Sequence, residues 1–359
     1  MKILVAPLNW GLGHASRCVP LVHRFLDEGH KVILGGDGES LVLLRRHFPK
    51  LRYVYLAPLQ LKYGKGKRQV WAVVKMLPKL VVWSMKDHAL LKAVLREEKI
   101  DRVVSDNRFG LYGKLSEISH QKSEVSHHPS EVRSQESGTE FVYMTHQLHV
   151  LLPKGWKWLE GLVERLHARV CAHFDKVWVP DYKEEEKSLA GVLSHPKKSK
   201  DDSRHSDKCQ KAKVEYIGPQ SRFARYGDVK DANEMRTRMT AKLGGGYAVV
   251  AVLSGLEPHR TLLEQEIVAR YQGKEEQVLI VQGLMNRPNT RIKRGNITLV
   301  PYMEDENLAE VLLEAKHIIA RSGYSTIMDL EALGLLEKAE LIPTPGQPEQ
   351  EYLCNLLKK

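Results

Sequence analysis

The sequence is short of several things, and each shortage narrows what it can be. Its four cysteines, Cys18, Cys171, Cys209 and Cys354, are scattered and never form a Cys-x-x-Cys pair. Neither a disulfide framework nor a thiolate metal site is expected, and reduced thiols are the default. No apolar run is long enough to cross a bilayer. The opening, Met1 to His14, has only a short apolar stretch that passes into glycines. It reads as a first strand rather than a signal peptide, so the expected compartment is the cytoplasm. The P-loop pattern Gly-x-x-x-x-Gly-Lys-Ser/Thr is missing, which argues against a P-loop nucleotidase. Gly11-x-Gly13 lacks the third glycine of a dinucleotide fingerprint, because Ser16 stands there, and no acidic residue closes the second strand. A nicotinamide cofactor is a weak reading. With no Asp-x-Asp in a convincing context and no helix-turn-helix or RNA-binding signature, no metal, cofactor or nucleic-acid partner is expected.

The 359 residues that remain to be explained are enough for two domains with separate cores. A formal net charge of +11 points to an anionic partner, such as a phosphate-bearing substrate, an acidic membrane or nucleic acid. The plainer account places part of that surplus in solvated segments such as His195 to Lys200. The scattered histidines His127, His128, His195 and His205 have no ligand framework around them and read as solvated loop residues.

Strands are expected at Lys2 to Ala6, Lys31 to Leu34, Arg52 to Tyr55, Arg102 to Ser105, Phe141 to Met144, Lys176 to Val179 and Val214 to Ile217. A helical pattern, Ala15 to Glu28, separates the first two, which is the opening of a doubly wound parallel sheet. A second series follows, with strands at Tyr247 to Leu253, Gln277 to Val281, Ile297 to Val300, His317 to Ala320 and Glu340 to Ile342. Helical patterns at Thr261 to Tyr271 and Glu306 to Glu314 lie between them. The fold class is therefore α/β, with two Rossmann-like domains, 1–217 and 218–359, facing a cleft. Polar segments near 121–140 and 194–213 read as mobile inserts.

The residues that carry chemistry sit where strands end. Arg321-Ser322-Gly323 closes an apolar strand and opens a helix bearing Thr326 and Asp329. A helix N-terminus there would attract phosphate, and Asp329 could take sugar hydroxyls. Ser254 and Gly255 end the first strand of the second series, and could cradle a diphosphate that Arg260 neutralises, or form a plain tight turn. Gly11 and Gly13 let a ligand approach the first turn. His14 is the best general-base candidate, with a loop-capping role as the alternative. Asp106 orients His14 or an acceptor hydroxyl, or else caps the next helix. Asn107 and His146 also end strands and are candidates for the acceptor side or for structure. The segment 62–86 mixes lysines with Trp71, Trp83 and aliphatic residues, which suits either an anionic membrane surface or an ordinary core-packing helix. Pro78 is expected to kink or divide that helix.

These residues resemble the GT-B glycosyltransferases, and most closely glycosyltransferase family 28, which makes peptidoglycan lipid intermediates and plant galactolipids. The match lies in Arg321-Ser322-Gly323-x-x-Thr326-x-x-Asp329, the proline loop with Gln350, and the weaker Gly-x-Gly-His. The resemblance implies a nucleotide-sugar donor, typically a UDP-sugar, in the second domain and a hydroxyl acceptor, often a lipid, in the first. It places Ser322 and Gly323 near the donor phosphates, Asp329 at the ribose, Met303 at the base, Gln350 and Glu351 at the sugar, and His14 on the acceptor side. It departs from the family at Ser254-Gly255-Leu256-Glu257, which lacks the glycine-serine-rich form, and at Asp329, where Glu is commoner. The chain ends at Lys359, soon after the donor-loop helix, so a truncated second domain is among the expectations. The implied activity is inverting, metal-independent sugar transfer, in the cytoplasm or at the inner face of a membrane. A nucleotide-sugar 2-epimerase and a non-catalytic nucleotide-sugar or anionic-surface binding protein are the alternatives.

Overall fold

The computed structural model describes residues 1–59, 69–113, 138–196, 213–226 and 246–358, without the side chains of 69–77 and 154. Residues 121–137 and 197–212 of the two expected inserts, with His127, His128, His205 and Cys209, lie outside the described residues, as do 62–68 of the basic segment.

The first domain alternates strand and helix: β1 (Lys2–Pro7), α1 (Gly13–Asp27), β2 (Lys31–Gly36), α2 (Gly38–His47), β3 (Tyr53–Tyr55), α3 (Gln69–Glu97), β4 (Arg102–Asp106), β5 (Glu140–Met144), α4 (Glu160–Cys171), β6 (Lys176–Val179) and β7 (Lys213–Tyr216). The described strands form one parallel sheet in the order β3-β2-β1-β4-β5-β6-β7. Ile3, Leu4, Val5 and Ala6 of β1 are wholly buried because helices cover both faces. Strand order reverses between β1 and β4, so the loops after them lie side by side. Those loops carry His14 and Asp106.

The second domain repeats the plan: β8 (Val249–Val252), α5 (His259–Tyr271), β9 (Val278–Val281), β10 (Ile292–Arg294), β11 (Ile297–Val300), α6 (Asp305–Glu314), β12 (His317–Arg321), α7 (Tyr324–Ala332), β13 (Ala339–Ile342) and α8 (Pro348–Leu357). Its order is β10-β11-β9-β8-β12-β13, parallel except for β10, an exposed edge strand antiparallel to β11. Here the order reverses between β8 and β12, which brings Ser254–Gly255 beside Ser322–Gly323.

α3 runs undivided from Gln69 to Glu97 with Pro78, which is exposed, inside it. One feature differs from the sequence expectation. The sheets separate near residue 217, but the cores do not: Leu189, Ala190 and Leu193 pack into the second domain's core with Leu353 and Cys354 of α8. The Tyr352 hydroxyl accepts the Val192 N–H at 3.0 Å, tying α8 to this segment.

Candidate active site

β4 ends in Asp106, which is fully buried, and α1 starts nearby with His14 and Arg17 three residues apart on one face. Arg17 Nε donates to Asp106 Oδ2 at 2.7 Å, and Arg17 Nη2 donates to Oδ1. His14 Nδ1 lies 3.0 Å from Asp106 Oδ1. Arg17 Nη2 lies 3.0 Å from the same ring nitrogen, and the two contacts compete. The carboxylate can only accept and the guanidinium can only donate, so the bond to Asp106 forms in the tautomer that carries its proton on Nδ1, and that tautomer keeps the lone pair on Nε2. Burial pushes the Asp106 carboxyl up, but the charges and hydrogen bonds of Arg17 and His14 outweigh it and hold the pKa at about 2. Asp106 thus turns back onto α1 rather than capping the next helix. Asn107, at φ 56°, takes a hydrogen bond from the Tyr143 hydroxyl at 2.8 Å. Asparagine is among the few side chains that tolerate this left-handed backbone.

The network continues into the second domain. Arg17 Nη1 lies 3.0 Å from His146 Nδ1, and His146 Nε2 lies 2.8 Å from Glu349 Oε1. A single neutral tautomer satisfies both: Nε2–H donates to Glu349 and Nδ1 accepts from Arg17. Burial lowers the His146 pKa, and the pull of Glu349 does not offset it. Burial would raise Glu349, but His146, His14 and Arg17 hold its carboxyl below the usual range. The Gln147 side chain also donates to Glu349, and the His146 ring stacks on Tyr324 of α7 at 4.2 Å. His14, Asp106, Arg17, His146 and Glu349 therefore form one polar chain across the interdomain boundary.

On the facing side, Ser322 is wholly buried and donates to the Gln350 carbonyl at 2.8 Å. Gly323 precedes α7, which has no side-chain cap and no acidic residue in its first turn; Thr326 is partly exposed in that turn. The start of α1 is likewise uncapped and free of acid, whereas α5 is closed by Glu257, whose Oε2 accepts from Thr261 N at 3.2 Å, and α6 and α8 open with Asp305, Glu306, Glu349 and Glu351. The positive dipole end thus favours an anion at α1 and α7. The glycine loops meet across the cleft. A Cβ at Gly11 would come within 4.0 Å of Gly255 Cα, and one at Gly13 within 2.9 Å of Ser325 Oγ, which donates to the Gly13 carbonyl at 2.8 Å. Gly255 has φ 93° and follows the half-buried Ser254.

Several expected donor contacts are placed differently. Arg260 is paired with Glu257 of its own loop at 2.7 and 3.0 Å and donates to the Gly283 carbonyl, so its charge is already matched. Asp329 is buried and accepts from Ser221 Oγ at 2.7 Å and Arg222 Nε at 3.1 Å, and is not open to a sugar hydroxyl. Burial raises its pKa, and Arg222, shared with Asp305, does not bring it back. The Gln350 side chain ties the proline loop, accepting from Thr344 N at 2.9 Å and donating to Gln347. Glu351 is exposed and accepts from Gly346 N, so Glu349 and not Glu351 reaches the cleft. Met303 packs against the second core. Arg17, Glu349 and Arg222 were not singled out from sequence, although Arg17 stands one helical turn from His14, where a shared partner is to be expected.

No protein-family model matches the chain. In sequence it is similar to a UDP-N-acetylglucosamine--N-acetylmuramyl-(pentapeptide) pyrophosphoryl-undecaprenol N-acetylglucosamine transferase of Bacillus cereus, with 26% identity over 186 residues, 47% of this chain and 48% of that protein. The chain spans about half the length of the curated relatives it matches. In structure it is similar to SsfS6, a Streptomyces glycosyltransferase, with a TM-score of 0.50 and 11% identity over 100% of this chain and 85% of that one. It is also similar to Glycyrrhiza uralensis UGT73P12 complexed with glycyrrhetinic acid 3-O-monoglucuronide, with a TM-score of 0.51 and 13% identity over 98% and 79%. These likenesses show the fold: two parallel-dominated sheets with helices, in the GT-B arrangement.

Proposed function

We propose that this chain is a GT-B glycosyltransferase that moves a sugar, with inversion and without a metal, from a UDP-sugar to a hydroxyl acceptor. The observation that carries the reading is the His14–Asp106 pair set across the cleft from the acid-free start of α7. The acceptor oxygen attacks the anomeric carbon as the bond from that carbon to the diphosphate oxygen breaks. His14 Nε2 takes the hydroxyl proton, and Asp106, ionised and fixed by Arg17, stabilises the imidazolium that forms. The charge left on UDP falls toward the N-terminus of α7 and toward Arg321, groups that are in place before the reaction. Glu349 stands where a sugar held between the domains could reach it, which makes it a better donor-sugar contact than Glu351.

A lipid acceptor fits the outer surface of the first domain. On α3, Val81, Val82 and Met85 are exposed beside Lys79 and Lys86. On α4 and the turn before it, Trp158, Leu162 and Leu166 are exposed beside Lys157, Arg165 and Arg169. Both helices pack on the same sheet face through Leu91, Leu95, Val170 and Cys171. Apolar side chains flanked by cations suit an anionic membrane surface. No helix among the described residues is long and apolar enough to cross a membrane.

The test is transfer of labelled sugar from a panel of UDP-sugars to membrane lipid extract. His14→Ala is expected to lower turnover by roughly 10²–10⁴-fold, the usual worth of a general base, while UDP affinity is retained. A protein that binds no UDP-sugar would end this reading, and an altered sugar stereocentre without acceptor would favour the epimerase.

A further inference from the structure

We propose that the carboxyl end of α2 is a clamp on the donor-side loops, and that Arg46 is a positioning residue for the nucleotide base. The proposal rests on the transferase reading for its ligand, but the clamp itself is visible without one.

α2 buries Leu41, Leu43 and Leu44 in the first domain and ends in Arg45, Arg46 and His47, cations that suit the negative end of the helix. Arg45 stays at home, with its guanidinium 3.9 Å above the Tyr53 ring. Arg46 crosses to the second domain. Its guanidinium sits 4.0 Å above the Tyr302 ring, Nη2 donates to the Met285 carbonyl at 3.1 Å, and Nη1 lies 4.0 Å from Glu304 Oε1. His47 Nε2 lies 3.5 Å from Asp305 Oδ2, and Asn286 donates to Glu39 at the other end of α2. Met285 and Tyr302 pack into the first domain's core cluster.

The two loops gripped in this way follow β9 and β11, and they are tied to each other by the Leu284 N–H, which donates to the Pro301 carbonyl at 2.8 Å. Tyr302 and Glu304 flank Met303, which packs against the second domain's core and which the family resemblance, taken up here as part of the proposal, gives to the base. A planar guanidinium can stack on the tyrosine and donate to the carbonyl at once, so one side chain fixes both loops. With those loops fixed in advance, a nucleotide binds without paying to order them. Their position is set from the opposite domain, so base binding and domain closure draw on the same contacts.

The experiment compares Arg46→Ala, Arg46→Lys and the neighbouring Arg45→Ala, with UDP as the calorimetric probe. Arg46→Ala is expected to weaken UDP binding by about tenfold, the equivalent of about 1.4 kcal/mol, with a matching rise in donor KM. Its kcat at saturating donor should fall by a smaller factor than KM rises, since saturation restores binding and leaves only the loss in domain closure. Arg46→Lys should recover little, because an ammonium cannot stack and donate together, and Arg45→Ala should bind UDP as the native protein does. A second arm follows hydrogen–deuterium exchange without ligand, in which amides of 284–286 and 302–305 should exchange roughly fivefold faster in Arg46→Ala. Unchanged exchange overturns the clamp, and faster exchange with unchanged UDP affinity overturns the role in base positioning. If the native protein takes up no UDP, the transferase reading and the base assignment fall together, while the exchange arm still decides the clamp.

Discussion

Arg321 is 4% exposed, and its Nε has no hydrogen-bond partner among the described residues. Its other nitrogens donate to the carbonyls of Pro343 and His259, the latter at the start of α5. Burial lowers its pKa, and the opposing charge of Glu266 does not offset it. A buried cation served by carbonyls alone is expensive. It becomes favourable once an anion lies nearby, and it sits one residue before Ser322. Arg321→Met keeps the bulk and removes the charge. The variant is expected to bind UDP about tenfold more weakly or worse, and its affinity should depend less steeply on salt than the native protein's. Equal affinity and an equal salt dependence in calorimetry would show that the charge has no part in binding.

At the scale of the element, α3 and α4 carry apolar side chains that no part of the described first domain covers. Glutamate at Met85 and Leu162 together leaves the core untouched, because both side chains point to solvent. The double variant should lose most of the sedimentation with vesicles rich in anionic phospholipid, where each nearby cation contributes about 1 kcal/mol. Native protein that fails to sediment with such vesicles at low salt would remove the membrane from the account. The strands were the most legible elements, because β1, β4, β8 and β12 are buried on both faces and read as unbroken apolar runs ending in glycine or polar turns. Their carboxyl ends led to His14, Asp106, Ser254 and Ser322. The short helices were less legible. In α8, Glu349 and Glu351 are two positions apart and so face opposite sides, but which one meets the cleft depends on where the helix begins. The edge strand β10 is exposed throughout, and the reach of Arg46 to Tyr302 spans more than 250 positions of sequence with no local trace. Asp329 had the right place in its motif, yet its partners Ser221 and Arg222 come from the segment between the sheets, which no spacing rule connects to it.

For the whole molecule, the buried histidines set a pH limit. Burial lowers the pKa values of His146 and His47, and brings His167 to about 4. These rings stay neutral in the native state at pH values where the unfolded chain, with histidine near 6.5, has taken up protons. The unfolded state then binds more protons, so stability falls as pH drops below about 6.5. Asp106 works in the same direction at lower pH: its depressed pKa contributes stability above about 4 that is lost as pH falls toward 2. Thermal unfolding should therefore show a Tm several degrees lower at pH 5 than at pH 7.5, and a Tm that held steady or rose would contradict the buried, neutral state of these rings. Replacing His146 by Gln, which can still accept from Arg17 and donate to Glu349, should flatten the acid side of that curve.

Leu189, Ala190 and Leu193 precede β7 in the chain yet fill the second domain's interior. A gene severed after residue 217 would give one product with a hollow where those side chains belong and another trailing a greasy strap with nowhere to go. The two lobes are not interchangeable parts that recombination can swap at the seam between their sheets. Each inherits a wall from the other, and a workable exchange would have to carry the strap along with the lobe it serves.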